Sequence, residues 1–239
     1  MASDWDRRTL EVLLFAEAQG QEPGSPEVDA VVVDLAEGSA SRAGMAADDV
    51  IAQTLRGTSA SDVIVRVGDA GSARLDGDIG AVLRADVSCV LVPGVEQEDD
   101  LAVVDHRLAD AEAAGGIDRG TIRVLPILES PRAIIRAPAL ARAASARTLT
   151  LVLGCGDLSR SLGVRELRGG TDFVYARSVV ALAAAAAGMR APIDGAFLGE
   201  PEDLEQLGQD CRLSHALGFM GRAVKDARHI ETVRDGYAA

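Results

Sequence analysis

Residues 122–163, IRVLPILESPRAIIRAPALARAASARTLTLVLGCGDLSRSLG, read as strand, turn, helix, strand, turn, helix. Ile122–Leu128 and Leu149–Leu153 are apolar runs of strand length, and the segment between them has helical spacing. Ser130 suits an N-cap and Pro131 the first helical turn, which predicts a helix over Pro131–Ala144. Pro138 inside that pattern is expected to kink or restart it. Each strand ends on a turn carrying one acid, Glu129 after the first and Asp157 after the second, 28 positions apart. That is about one strand–helix repeat. Two carboxylates at the same end of neighbouring parallel strands can share a divalent ion.

The same alternation extends outward in both directions. Strands are predicted at Leu10–Phe15, Ala30–Leu35, Asp62–Val67 and Val87–Val92 before this stretch, and at Ala191–Asp194 and Met220–Val224 after it. Helical patterns fall at Ser39–Leu55, Arg74–Arg84, Glu98–Ala114, from Leu158 onward, Phe173–Ala187, Leu204–Leu217 and Arg228–Tyr237. Met1–Arg8 is polar and expected to fray. Strands that alternate with helices require a parallel sheet. Eight such units with no antiparallel run predict a closed (β/α)8 TIM barrel rather than an open sheet. Residues 1–239 are expected to form one compact barrel domain with a short C-terminus.

Composition narrows the functional classes. The chain is 48% hydrophobic but only 3% aromatic, so Ala, Val, Leu and Ile must build the core. A net charge of −13 argues against nucleic acid and against an anionic membrane surface, both of which need clustered Lys and Arg. An anionic substrate is still compatible, because a few arginines or a bound cation reverse the potential inside a pocket. Cys89, Cys155 and Cys211 have no metal-ligand or disulfide spacing, and Cys89 and Cys155 lie in apolar, strand-like contexts. Free buried thiols in a reducing compartment are expected. No apolar run reaches membrane-spanning length and no leader pattern opens the chain, which predicts a soluble cytoplasmic protein.

Active sites of such barrels sit at the C-terminal ends of the strands. The residues predicted there are Asp34, Glu37, Arg66, Glu96, Glu129, Asp157 and Asp194. Six carboxylates and one arginine on one rim suggest a hard cation with a bound anionic oxygen ligand. Two carboxylates supplemented by waters and substrate oxygens match Mg²⁺. The same residues have a structural reading: an acid at a helix N-terminus stabilises it by about 0.3–1 kcal/mol with no catalytic role, and Arg66 can be a structural ion pair. Gly154 and Gly156 flank Cys155, and glycines there allow close backbone approach to a carboxylate. Asp34, Glu37 and Asp194 are general acid/base candidates by position alone. His106, His215 and His229 fall on helices with no shared spacing and are read as surface or packing residues. No Ser/His/Asp set, phosphate loop or dinucleotide fingerprint is present.

These segments resemble the citrate lyase β-subunit branch of the HpcH/HpaI aldolase superfamily. ILESPRAIIRAPALARA resembles the family's strand-five "IET-P-x-G/A" segment, and LVLGCGDLSRSLG its strand-six "GxxDL…LG" segment. VVVDLAEGS is similar to "DLEDAV", VIVRVGD to "VRVN", and FVYARSVVALAAAAAGMRAPIDGAF to "YARS…AA…G…IDG". ALGFMGRAV and HIETV resemble the closing "GF-x-GK" and "QI-x-V" segments. The resemblance implies a Mg²⁺-dependent barrel lyase that makes or breaks a C–C bond beside a carbonyl. Its implied substrates are β-hydroxy acyl thioesters of coenzyme A or an acyl carrier protein, or small 2-oxo acids. It implies Glu129 and Asp157 as metal ligands, Arg66 as substrate-binding arginine, and a homotrimer or a multiple of it. Arg66, Glu37 and Asp34 form the expected catalytic set; Arg66, Gly154, Cys155, Gly156 and Asp194 form the expected substrate-binding set. Three departures turn the expectation away from citrate itself. The acidic pair of "DLED" becomes Ala36-Glu37, the lysine of "LPKVE" becomes Gly94, and "IHP" becomes Lys225-Asp226-Ala227. The alternative is a relative that binds a ligand or partner without turnover.

Overall fold

Aliphatic runs buried on both faces form eight strands in the computed structural model, which describes residues 4–7, 10–15, 28–35, 46–56, 63–164 and 171–238. The strands are β1 (Val12–Phe15), β2 (Ala30–Asp34), β3 (Val63–Arg66), β4 (Cys89–Val92), β5 (Arg123–Leu128), β6 (Val152–Leu153), β7 (Ile193–Asp194) and β8 (Gly221–Val224). Each pairs in parallel with the next, and β8 returns to β1 with Leu13 opposite Ala223, which closes the barrel. Around it lie α1 (Ala47–Leu55), α2 (Leu75–Arg84), α3 (Glu98–Ala114), α4 (Pro131–Ala143), α5 (Cys155–Leu162), α6 (Val174–Ala186), α7 (Leu204–Ala216) and α8 (Ile230–Tyr237). All eight predicted strands are present, and the closed (β/α)8 architecture stands as expected.

Side chains alternate along each strand and so build two cores. Leu13, Val32, Ile64, Leu91, Leu125 and Ile127 fill the barrel interior. Val33, Val65, Val90, Val92, Val124 and Leu128 face outward into the layer shared with the helices. This two-sided burial is why the strands read as nearly unbroken apolar runs.

The structure moves several predicted details. Asp4–Asp6 forms a 3-10 turn, and Trp5 is only 1% exposed, joining the interior core rather than fraying. Its indole Nε1 donates to Ser88 Oγ at 3.0 Å, and Arg190 donates to its carbonyl at 2.9 Å. An amphipathic ring that finds a partner for its N–H is held, although its neighbours are polar. Helix α4 runs unbroken through Pro138, which lies on its exposed side. Ser130 caps it as predicted, its Oγ accepting from the Ala133 amide at 3.1 Å. Strand β6 is only two residues long, so α5 begins at Cys155 rather than Leu158. Cys155 is therefore the first residue of a helix, not part of a strand, and Asp157 stands in the first helical turn. Of the predicted helix Ser39–Leu55, Ala47–Leu55 is helical, and residues 39–45 lie outside the described residues.

Candidate active site

At the C-terminal mouth of the barrel lies a cavity of about 140 Å³. Its charged lining is Asp34, Arg66, Glu129, Asp157, Arg160 and Lys225.

The pairing of β2 with β3 sets Asp34 directly opposite Arg66. Arg66 Nη1 donates to Asp34 Oδ2 at 3.0 Å, and its Nη2 stands 4.0 Å from Glu129 Oε2. Arg66 is 7% exposed, so its charge acts in a poorly solvated wall. Glu129 follows β5, and the Gly94 amide after β4 donates to its Oε1 at 2.8 Å. Gly94 holds φ at +67°, a conformation that glycine adopts without strain. At sequence level Gly94 registers only as a lost lysine; in the fold its backbone N–H is what holds Glu129.

Gly154 presses on the same carboxylate. A Cβ there would lie 2.4 Å from Glu129 Cβ and 3.0 Å from Glu129 Oε2. Close approach was expected of this glycine, but its N–H is not the contact, because it donates to Leu128 O across the β5–β6 pair. Asp157 is the third residue of α5, and Arg160 one turn on pairs with it. Burial pushes the Glu129 carboxyl up to about 7; Arg66 and the Gly94 amide oppose this, and the neighbouring Asp157 carboxylate adds to it. Two acids that repel each other in one partly desolvated mouth form an arrangement that a cation relieves.

Asp194 departs from expectation. It ends β7, yet its side chain is fully buried behind the barrel wall and takes no part in lining the cavity. Arg222 Nη2 lies 2.5 Å and Arg177 Nη2 2.8 Å from Asp194 Oδ2. Both arginines also reach Asp210 of α7, each at 2.7 Å. Burial alone raises the Asp194 carboxyl, but Arg222 and Arg177 outweigh it and hold the group below the usual carboxylate range. A carboxylate so engaged cannot bind substrate or accept its proton. The Arg177 of YARS, the Asp194 of IDG and the Arg222 of the closing segment are thus one buried ion cluster between β7, β8 and the helices α6 and α7. Sequence spacing carries no signal for that convergence, since the three lie on separate elements.

Cys155 lines the cavity with Gly154 and Gly156, as expected of the set. Its thiol donates to Asp194 Oδ1 at 3.6 Å, and burial pushes its pKa up, which leaves it a packing group rather than a nucleophile. Cys89 and Cys211 are likewise free and buried. Glu96 pairs with Arg132 at 3.8 Å beside α3 and does not line the cavity. Glu37 lies outside the described residues. His106 is an exposed partner of Asp110, and His229 is buried with Nε2 2.8 Å from Pro201 O, so neither belongs to the site. Two lining cations were missed. Arg160 was legible as the i+3 partner of Asp157. Lys225 was legible as the residue immediately after β8, but it registers at first only as part of a lost "IHP".

Among the described residues no three His, Cys, Asp or Glu side chains converge in the manner of a closed metal cage. Glu129 and Asp157 alone match the donor set of Mg²⁺, which keeps waters and takes one or two carboxylates.

The model of the HpcH/HpaI aldolase/citrate lyase family matches residues 21–227. The chain belongs to that family. Citrate lyase subunit beta of Leuconostoc mesenteroides subsp. cremoris is 29% identical over 178 residues, covering 74% of this chain and 58% of the relative. The Haemophilus influenzae counterpart is 31% identical over 161 residues, covering 67% and 54%. The chain thus spans a little over half the length of these relatives. Among solved structures, RipC from Yersinia pestis superposes with a TM-score of 0.75 at 20% identity, covering 98% of this chain and 96% of that one. The citrate lyase beta subunit from M. tuberculosis, complexed with oxaloacetate and magnesium, gives 0.73 at 22%, covering 99% and 100%. At these identities the superpositions establish the shared barrel of the HpcH/HpaI aldolase/citrate lyase family. Glu129, Asp157, Arg66 and Lys225 all lie inside the span its model matches.

Proposed function

We propose that this chain is a Mg²⁺-dependent carbon–carbon lyase acting on a small 2-oxo or β-hydroxy acid or its coenzyme A thioester. The observation that carries this reading is the convergence of Glu129 and Asp157 at one mouth, with Arg66 4.0 Å from the first. The M. tuberculosis relative holding magnesium and oxaloacetate supports it by family. Glu129 and Asp157 would hold the cation, which when bound supplies Lewis-acid charge to a substrate oxygen.

The chain's own residues account for the rest. Arg66 presents its guanidinium to an anionic oxygen, either a carboxylate or the enolate oxygen that forms as the bond breaks. Asp34, which accepts from Arg66 Nη1 at 3.0 Å, places a carboxylate at the same mouth and is the base proposed here. Taking the proton from a β-hydroxyl lets the oxygen pair form a carbonyl while the adjacent C–C bond breaks. The released pair enters an enolate, which is then protonated at carbon. Aliphatic walls from Leu13, Ile127 and Val152 exclude water from that enolate.

The test is direct. Purified protein should bind Mg²⁺, and with it a 2-oxo acid, by calorimetry, and the Glu129→Ala and Asp157→Ala variants should lose metal-dependent cleavage. Unchanged turnover in either variant removes the site. Binding without turnover across a panel of β-hydroxy acids and thioesters moves the chain to the non-catalytic alternative.

A further inference from the structure

The charged lining of the cavity of about 140 Å³ comprises three carboxylates and three cations. Asp34 and Glu129 face Arg66, and Asp157 faces Arg160. Lys225 has no such partner among the described residues. The adjacent Asp226 is taken by Arg228, with Nη2 2.6 Å from Oδ2, and so does not neutralise it. Lys225 follows β8, three strands round the ring of eight from β5, and thus stands nearly across the mouth from Glu129. Between them the floor is apolar, formed by Leu13, Ile127, Val152 and Ala223. A divalent cation at Glu129 and Asp157 leaves the lining with two positive charges in excess, one contribution being Lys225.

We infer that Lys225 is the specificity-determining anchor for a second anionic group of the substrate, so that the site selects a compact aliphatic diacid over a monoacid. One end of such a ligand meets Arg66 and the metal carboxylates, its short carbon chain crosses the apolar floor, and its far carboxylate reaches the Lys225 ammonium. The cavity of about 140 Å³ has room for a molecule of that size. This rests on the lyase reading above. It adds a charged residue at the position where the family's closing "IHP" segment has isoleucine.

The experiment measures the dissociation constants of oxaloacetate (two carboxylates), pyruvate (one carboxylate) and coenzyme A, each with saturating Mg²⁺, for the wild type and for Lys225→Met and Lys225→Arg. The dissociation constant of Mg²⁺ alone is read in parallel. Wild type should favour oxaloacetate over pyruvate by about tenfold or more, the scale of one hydrogen bond to a charged group. Lys225→Met should erase that preference while leaving pyruvate and Mg²⁺ binding unchanged, and Lys225→Arg should retain it. Equal weakening of both acids, or no weakening of either, overturns the assignment. Weakened coenzyme A binding with oxaloacetate unaffected also overturns it, because the anchor then serves a phosphate. A wild type that binds both acids without dependence on Lys225 defeats this inference alone; a wild type that binds neither defeats the lyase reading with it.

Discussion

Replacing Asp194 with Asn tests whether the ion cluster behind β7 and β8 is the structural element inferred here. The change keeps the shape of the side chain and removes one of two negative charges that face Arg177 and Arg222. Asp194 is 0% exposed and both arginines 1%, so no solvent is available to screen the charge that remains. Deleting one partner of such a buried pair costs about 3–5 kcal/mol. Whole domains of ordinary stability hold roughly 5–15 kcal/mol, so this is a large share of the total. For a chain of this length that loss corresponds to about 6–20 °C in Tm. Circular dichroism melts of wild type and Asp194→Asn, at matched concentration and without metal, read it directly. An exposed pair, Asp48 with Arg84 on α1 and α2, is the control, and Asp48→Asn should barely move the melt. A combined replacement of Asp194 and Arg222 by Leu and Met should recover part of the loss, since the stranded charge is then gone. A drop of only a degree or two for Asp194→Asn, with no coupling to Arg222, would refute the cluster's role and reopen Asp194 as a substrate group.

Other expectations bear on the mouth and the surface. Gly154→Ala should weaken Mg²⁺ binding at least tenfold, because its Cβ would come 2.4 Å from Glu129 Cβ. Gly156→Ala, whose nearest neighbour is Leu198 Cδ2 at 4.0 Å, should bind the ion as wild type does; isothermal titration of both variants compares them. Because the Glu129 carboxyl titrates near 7 in the free protein, protons compete with the cation. The dissociation constant for Mg²⁺ should therefore fall as pH rises toward 7 and level off above it, and a flat profile between pH 5.5 and 8 removes that account. The outer side of α6 carries no charge, and Tyr175 and Leu182 on it lie 73% and 71% exposed; on α4, which packs beside α6, Ile135 is 75% exposed. The homotrimer that the family resemblance implies should bury that face. Light scattering of wild type should give three chains or a multiple, and Leu182→Glu should lower the mass; a monomeric wild type refutes it.

The barrel and the placing of Glu129 and Asp157 on one rim were legible because both rest on local pattern. Unbroken runs such as VVVD and VLLF can be buried on both faces only in a parallel sheet, and one acid per strand end repeats with the strand–helix period. Asp194 shows the limit of that logic. Its position at the end of a strand is the same as that of Glu129 after β5, yet two arginines from other elements draw it behind the wall. Trp5 was misread for a similar reason, because the polar context of Met1–Arg8 says nothing about an apolar plug finding Ser88 and Arg190. Gly94 was legible only in part: the missing side chain was visible, while the backbone amide that donates to Glu129 was not.

Taken by itself, the sequence determined the (β/α)8 barrel, its strand order and the rim to which Glu129, Asp157, Arg66 and Asp34 belong, since period and spacing are properties of the chain alone. Only the tertiary structure decided which rim residues face the cavity and which are consumed by one another. It set Arg66 between Asp34 and Glu129, enclosed Asp194 with Arg177 and Arg222, and left Lys225 across the mouth without a carboxylate among the described residues. The physical reason is that a charge acquires its role from the partners within a few ångströms of it, and those partners come from elements far apart in sequence.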